Sequence, residues 1–357
     1  MNIFKSANNT IPTIVLGGTG YVAGELLRLI AAHPQLELAA AISESQAGET
    51  IKSVFPHLQN VFGEQRYISR DKVGDHLHGA VAMFSAAPHG ASAGMIAELL
   101  ERAEKQKCQL TVVDASADFR FSSAAAYEAV YDHPHGAPQL LDMFSSGLPE
   151  HMANPEQPHI GHPGCFATAM LLGTVPMLAM DLIEPQVYAF GITGSTGSGR
   201  LPIVSTHHPL RHANLYAYKP LAHRHTPEVA AISEALTNTK PELHFVPHSG
   251  PFARGIHMTL QATLKKPLSS EQLQAKLTDF YAQKPFVEIV SGTPRIKDVV
   301  GSNYAHIGVA AEGNTVAVFV TIDNLMKGAA GGAVQWMNRL LGFDETLGLT
   351  MPGPGWI

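Results

Sequence analysis

Between residues 11 and 33 the chain passes from a short apolar, β-branched stretch through glycines into "YVAGELLRLIAAH", whose Leu26, Leu27 and Ile30 recur at helical spacing. The pattern predicts a strand, a tight turn and a helix. Apolar runs at "LELAAAI", "GAVAMFSAAP" and "QLTVVDAS" predict three more strands, and "SAGMIAELLERAEKQK", between the last two, predicts a helix. Continuous apolar strands alternating with helices specify a parallel sheet covered on both faces, so residues 1–164 are expected to form a doubly wound α/β (Rossmann) domain.

From about Leu182 the texture changes. The runs "QVYAFGIT", "IHMTLQATL" and "TVAVFVTID" alternate more and are joined by polar or Pro/Gly-rich stretches, which predicts a mixed or antiparallel sheet. A helix, "SSEQLQAKLTDFYAQK", opened by a serine cap, makes residues 165–324 an α+β domain. The final helix, "NLMKGAAGGAVQWMNRLLG", starts at Asp323-Asn324 and stops at Gly342; its small residues permit close packing, and segment 325–357 is expected to return to the first domain and complete it. The uncharged run Phe166 to Met180 is shorter than the ~20 residues a membrane span needs and contains Pro176, so it predicts a buried helix. No internal repeat or low-complexity segment interrupts this plan.

A chain of 357 residues, 45% hydrophobic and 15% charged, can bury two cores. A net charge of -6 and the absence of a long basic run argue against nucleic acid or membrane surfaces as partners and favour a small molecule. Two cysteines, Cys108 and Cys165, cannot build a disulfide framework, and "MNIFKSANNT" lacks the features of a secretory signal; a reducing, cytoplasmic setting is expected.

Chemistry concentrates in a few places. In "LGGTGYVAGE", Gly17 and Gly20 bracket the turn after the first strand and Ala23 holds the third small position, as a dinucleotide pyrophosphate requires at a helix N-terminus. Near "ISESQAG", at the end of the second strand, Glu44 favours NAD while Ser43 and Ser45 leave NADP open. Cys165, in "IGHPGCFATAMLLG", stands where a Pro-Gly turn hands the chain to a helix; the helix dipole and free amides favour the thiolate there and can hold an oxyanion. Cys108 has no such setting. A nucleophilic thiol needs a proton carrier, and "HRHTPE" offers His223 or His225 just before Thr226-Pro227-Glu228, a cap, a first-turn proline and an acid. The loop "GITGSTGSGR", ending at Arg200, has the composition of an anion nest, and Arg120 in "DASADFR" follows the fourth strand, where doubly wound folds place ligands. The pairs His207/His208 and His223/His225 come without HExxH or CxxC, so no metal site is expected.

In their order along the chain, "GGTGYVAGELL", "AGETIKSVFPHL", "PHGASA", "DASADFRF", "GLPE", "HPGCFAT", "GSTGSGR", "HRHTPE", "PFARGI" and "IDNLMKGAAGGAVQWMN" resemble the N-acetyl-gamma-glutamyl-phosphate reductase family, within the wider aspartate-semialdehyde dehydrogenase group. The resemblance runs nearly end to end. The chain departs from the family's pattern at Ala23, at His162, Phe166 and Ala167 around the cysteine motif, and at Glu44, where the family often has arginine.

The resemblance implies an NADP(H)-dependent reductase of arginine biosynthesis acting on a small acyl phosphate through a thioester on Cys165, with His225, preferred to His223, as acid/base. Arg120, Ser195, Ser198, Arg200 and Glu228 are the expected substrate residues; Gly17, Thr19, Gly20, Tyr21, Val22, Ser43, Ser45, Pro88 and Asn324 are the expected cofactor residues, with Asn324 starting a helix that lies against the nicotinamide. A homodimer or homotetramer is expected. The alternatives are a sister reductase taking a carrier-protein-bound aminoadipyl or glutamyl phosphate, which would need a basic patch that the chain lacks, and a regulator that binds NADP(H) without turnover.

Overall fold

The computed structural model describes residues 10–356; the N-terminal segment read above for a secretory signal lies almost wholly outside them. The chain divides into two compact units. One takes in the described residues up to Gly147, with Asn154–His162 and Ala330–Thr350; the other holds Leu148–Ala153, Pro163–Ala329 and the tail from Met351. The division therefore falls within the C-terminal segment rather than at 325, because Leu325 to Ala329 packs with the second unit and the helix that follows packs with the first.

Six strands form the sheet of the first unit: β1 (Ile11–Leu16), β2 (Leu36–Ile42), β3 (Ala80–Ser85), β4 (Gln109–Asp114), β5 (Phe144–Ser146) and β6 (His159–Gly161). Their order is β2-β1-β3-β4-β6-β5 and every neighbouring pair is parallel. The helices are α1 (Tyr21–Ala32), the short α2 (Ile51–Val54) and α3 (Gln59–Phe62), α4 (Ser92–Lys105) and α5 (Ala124–Tyr131). The core is Ile14, Leu16, Met83, Ile96, Leu99 and Val112 with their neighbours, the residues that the apolar runs supply. The strand order reverses between β1 and β3, the switch point at which doubly wound sheets open a crevice.

The second unit is built on a seven-stranded mixed sheet: β7 (Ile183–Thr193), β8 (Tyr216–Ala217), β9 (Glu242–Ser249), β10 (Ile256–Leu264), β11 (Val287–Ile289), β12 (Ala305–Glu312) and β13 (Thr315–Ile322), ordered β11-β12-β13-β10-β7-β9-β8. Among the described residues of this sheet, only β7/β9 and β11/β12 pair in parallel. Its helices are α6 (Cys165–Ala179), the single turn α7 (His208–Arg211), α8 (His225–Thr237) and α9 (Ser270–Tyr281), the last opened by a capping box of Ser269 and Gln272 as the sequence predicts. The last helix of the chain, α10 (Gly331–Leu340), belongs to the first unit, where it packs on α1 and β4.

Helix α6 is buried all round from Phe166 to Leu178 and lies on β10, β13 and α8. Such a helix tolerates an internal proline only if the orphaned carbonyl one turn back finds another donor. Pro176 leaves the carbonyl of Leu172 without its amide, and the Tyr281 hydroxyl donates to that oxygen at 2.7 Å. With its proton committed there, Tyr281 accepts from His151 Nε2 at 2.9 Å, so His151 is the neutral Nε2–H tautomer. No helix of the described residues is long and apolar enough to cross a membrane.

Two predictions follow from this packing. Tyr281→Phe, which leaves the Leu172 carbonyl unpaired, should lower the unfolding free energy by about 1–3 kcal/mol, read by urea denaturation. Burial pushes His151 and His159 each from 6.5 down to about 4. Below pH 6.5 the unfolded chain binds protons that the folded chain refuses, so the stability these groups confer is complete above 6.5 and falls away as the pH drops toward 4. The urea midpoint should fall over that window, less steeply in His159→Phe.

Candidate active site

Cys165 is the first residue of α6, half-buried, with Gly164 as the cap. Two side chains of the α8 start close on that cap from the same unit. The amide of Gly164 donates to Glu228 Oε1 at 2.7 Å, and a Cβ built on Gly164 would stand 2.2 Å from His225 Nε2. Only a glycine lets the imidazole come so near. Glu228 is fully buried in the first turn of α8, where a carboxylate meets the positive helix end. On another side a Cβ on Gly328 would lie 2.8 Å from Cys165 Cβ. The cysteine is thus held between two backbone segments that have no side chain to push it away.

The two histidines differ in their chemistry. The His225 amide donates to His223 Nδ1 at 3.2 Å, which makes that nitrogen an acceptor and sends the proton of neutral His223 to Nε2. The His223 ring is wedged between Phe166, Tyr218 and Phe245, at centroid distances of 5.7, 5.8 and 5.3 Å. Burial, aided by the charges of Arg224 and Lys219, drives it to about 4. The sequence assigned the cap to Thr226, but α8 begins at His225 with Arg224 as its cap, two residues earlier; His223 Nδ1 takes the first helical amide and the Thr226 hydroxyl is buried without a partner. Burial and, after it, the charge of Cys165 raise the phenol of Tyr218, which stays uncharged.

Gly328 sits in a π-helical turn, Met326–Ala330, that leads into α10. Two buried charges fix its start. Asp323 accepts from Arg254 Nε and Nη2 at 2.9 and 3.1 Å, from Gly301 N at 2.7 Å, and from Leu325 N and Met326 N at 2.8 and 3.0 Å. Lys327, 1% exposed, donates to Glu150 Oε1 at 2.5 Å and lies 5.6 Å from the Phe286 ring centre. Inserting an extra residue into a helix is costly and tends to occur at working sites; here it carries Gly328 to the cysteine.

At the crevice of the first unit, Gly17 has φ +77° and a Cβ there would meet Ala87 Cα at 2.6 Å, which fixes the turn against the residue preceding Pro88. Gly20 caps α1 with open space before it, no side-chain cap bond and no acid in the first turn. The amides of that turn are therefore available to a pyrophosphate, and the residues present fit a dinucleotide. Thr19 lies within the turn, and Tyr21 and Val22 open the helix.

Two semialdehyde dehydrogenase models match this chain: the NAD-binding domain over residues 13–143 and the dimerisation domain over 165–324. The chain is 37% identical over 349 residues to an N-acetyl-gamma-glutamyl-phosphate reductase of Desulforudis audaxviator, covering 95% of this chain and 98% of the relative. It is 38% identical over 348 residues, with the same coverage, to one of Pseudomonas putida. The chain belongs to the N-acetyl-gamma-glutamyl-phosphate reductase family. Its fold is similar to that of aspartate semialdehyde dehydrogenase II from Vibrio cholerae, with TM-score 0.69 at 17% identity over 94% of this chain and 99% of that one. It is similar also to an aspartate semialdehyde dehydrogenase with NADP from Candida albicans, with TM-score 0.66 at 14% identity over 94% and 98%.

In this member of the family the remaining expected residues are distributed as follows. Arg120, 6% exposed, donates from Nε to the His162 carbonyl at 2.9 Å and from Nη2 to Ala115 O at 3.2 Å, an anchor within the first unit. The amides of Gly194, Ser195 and Thr196 donate to the carbonyls of Gly255, Phe252 and Ala253. What this loop can offer an anion is therefore side chains, of which Ser198 and Arg200 are exposed and Ser195 is half-buried, rather than a nest of free amides. Asn324 accepts from Gly255 N at 2.8 Å and donates to Thr196 Oγ1 at 3.0 Å, locking that loop to the start of the π-turn. Sequence reasoning named Asp323 only as a helix start, and it missed Tyr218, Arg254, Lys327 and Glu150. The last was in view within "GLPE", but nothing local pairs it with a lysine 177 positions away.

Lys327→Met should cost about 3–5 kcal/mol of stability, because it strands a buried carboxylate. The double variant with Glu150→Leu should recover most of that loss; calorimetric unfolding of the three proteins checks it.

Proposed function

We propose that this protein reduces N-acetyl-L-glutamyl 5-phosphate to N-acetyl-L-glutamate 5-semialdehyde with release of phosphate, drawing on NADPH, in the cytoplasm and in arginine biosynthesis. The observation that carries the reading is the clasp at the start of α6: a cysteine at a helix N-terminus, its cap held by Glu228 and covered by His225. The names of the relatives quoted above support the substrate.

Cys165 Sγ attacks the acyl carbon, the carbon–oxygen bond to phosphate breaks, and phosphate leaves with both bonding electrons. The thioester that remains on Cys165 has its oxygen at the amides of the first turn of α6. Nicotinamide dinucleotide, when bound, supplies the hydride. The resulting tetrahedral adduct on Cys165 collapses, the carbon–sulfur bond breaks, and the thiolate and the aldehyde are restored. His225 takes the thiol proton at the outset and steadies the charge on sulfur when it leaves. His223 is the positioning residue behind it, since its Nδ1 is occupied by the His225 amide. Ser195, Ser198 and Arg200 are the substrate-facing side chains of the loop after β7, and Glu228 acts through Gly164.

Preference for NADP over NAD is supported at the end of β2. Glu44, the carboxylate that would select NAD, accepts from Arg70 N at 3.1 Å and faces Arg70 Nε at 4.0 Å. This leaves the Ser43 and Ser45 hydroxyls, 3.4 Å apart, as the polar groups toward a 2′-phosphate. The expected assembly is a homodimer or homotetramer through the second unit.

Phosphate-dependent reduction of NADP should proceed with N-acetylglutamate semialdehyde and more slowly with NAD; faster turnover of aspartate semialdehyde would overturn the substrate. Cys165→Ser should abolish turnover while nucleotide titration of its fluorescence is unchanged, and His225→Asn should lower kcat by about 10²–10⁴. A Cys165→Ser protein that keeps its activity would return the regulator reading.

A further inference from the structure

A second polar site lies in the second unit, sharing only Ser195 with the residues assigned above. Arg211 ends the single turn α7 and is 8% exposed. Its Nη2 reaches the Phe252 carbonyl at 3.4 Å, while Nε and Nη1 are buried with no hydrogen-bond partner. A guanidinium keeps its charge in proteins, and leaving such a charge buried with donors unmet costs several kcal/mol by general experience.

The space that it faces is a cavity of about 260 Å³, lined also by Ser195, Thr206, His208 and His212, with no carboxylate in its wall. The two imidazoles stand 5.2 Å apart, nearly parallel. Hydroxyls, imidazoles and a fixed positive charge around an acid-free cavity are what an oxyanion requires. The cavity also touches the machinery of the cysteine: its wall includes Phe252 and Ala253, whose carbonyls take the amides of Ser195 and Thr196, and the following Arg254 is the partner of Asp323.

We propose that Arg211, with Ser195, His208 and His212, forms a binding site for a carboxylate or phosphate group. Within the reaction proposed above, that group is the carboxylate of the acyl substrate or the inorganic phosphate; this attribution rests on that reading, whereas the anion site does not.

The test uses the whole protein. At constant ionic strength, inorganic phosphate or N-acetyl-L-glutamate should raise the wild-type Tm relative to chloride. Arg211→Met should lose that rise, and in chloride its Tm should equal or exceed that of wild type, because an unpaired buried charge is gone. If Arg211→Met does not fold, Arg211→Lys, with fewer donors, is measured in the same way and should show a reduced rise. In the phosphorylating direction, a rise of about thirtyfold in the KM for N-acetylglutamate semialdehyde assigns the site to the substrate carboxylate, and the same rise for phosphate assigns it to phosphate. Loss of the anion-dependent Tm rise with both KM values unchanged assigns it to an anion outside the reaction.

Equal stabilisation of wild type and variant by both anions would overturn the proposal. So would a Tm for Arg211→Met well below wild type in chloride, which would make the guanidinium a structural post. Anion binding through Arg211 in a protein that turns over no acyl phosphate would sink the proposed function and leave this site standing.

Discussion

The hydrogen bond from the Gly164 amide to the buried Glu228 carboxylate ties the start of α6 to the start of α8, and the rest of the cysteine site takes its geometry from that tie. An amide at a helix N-terminus is one of four left without an intrahelical acceptor, and in water any solvent molecule would serve it. A carboxylate buried in the first turn of a second helix serves it in one direction only. Because Glu228 is three residues after His225 on the same helix, the bond that fixes Gly164 also fixes how the imidazole comes down on it. Glycine at 164 is then required for space, since a Cβ would occupy the place of the ring.

Around this tie, buried charge takes the place of loose loop. Asp323 gathers a guanidinium and three amides, and Lys327 is paired with Glu150 beneath a phenyl ring. A buried ion pair contributes little net stability over an apolar one, but breaking it is expensive, so it holds a single arrangement against alternatives. What it holds is a π-turn that sets Gly328 against Cys165. A related logic serves α6: a helix buried on all sides can keep Pro176 because Tyr281 meets the carbonyl that the proline abandons. At the π-turn and at Pro176, groups that a regular helix would leave unmet are each given a specific partner.

The first unit shows how much of a fold lies in local pattern. Four parallel strands, the glycine turn and the helices between them are written in apolar runs and turn residues, because a strand buried on both faces needs continuous hydrophobic sequence and a pyrophosphate turn needs glycine. The mixed sheet was less legible. β9, "ELHFVPHS", carries two histidines and a proline, and it pairs in parallel with β7, each residue with one 56 positions away. β11 is three residues long. Neither gives a local signal, since their register is set by neighbours that arrive from far along the chain.

By itself the sequence determined that a thiol stands at a helix start, that a histidine-rich segment opens a second helix, and that a dinucleotide turn follows the first strand, because each depends on residues within one turn of the chain. Only the tertiary structure decided which histidine lies against Gly164 and which accepts the His225 amide, since that depends on how the rings are packed and buried. It also decided that Glu228 serves Gly164, that Asn324 locks a loop and that Arg211 lies buried in a cavity. The physical reason is one of range: propensity and periodicity act over a few residues, whereas burial of a charge and the identity of its partner are fixed only when segments separated by tens to hundreds of residues exclude water together.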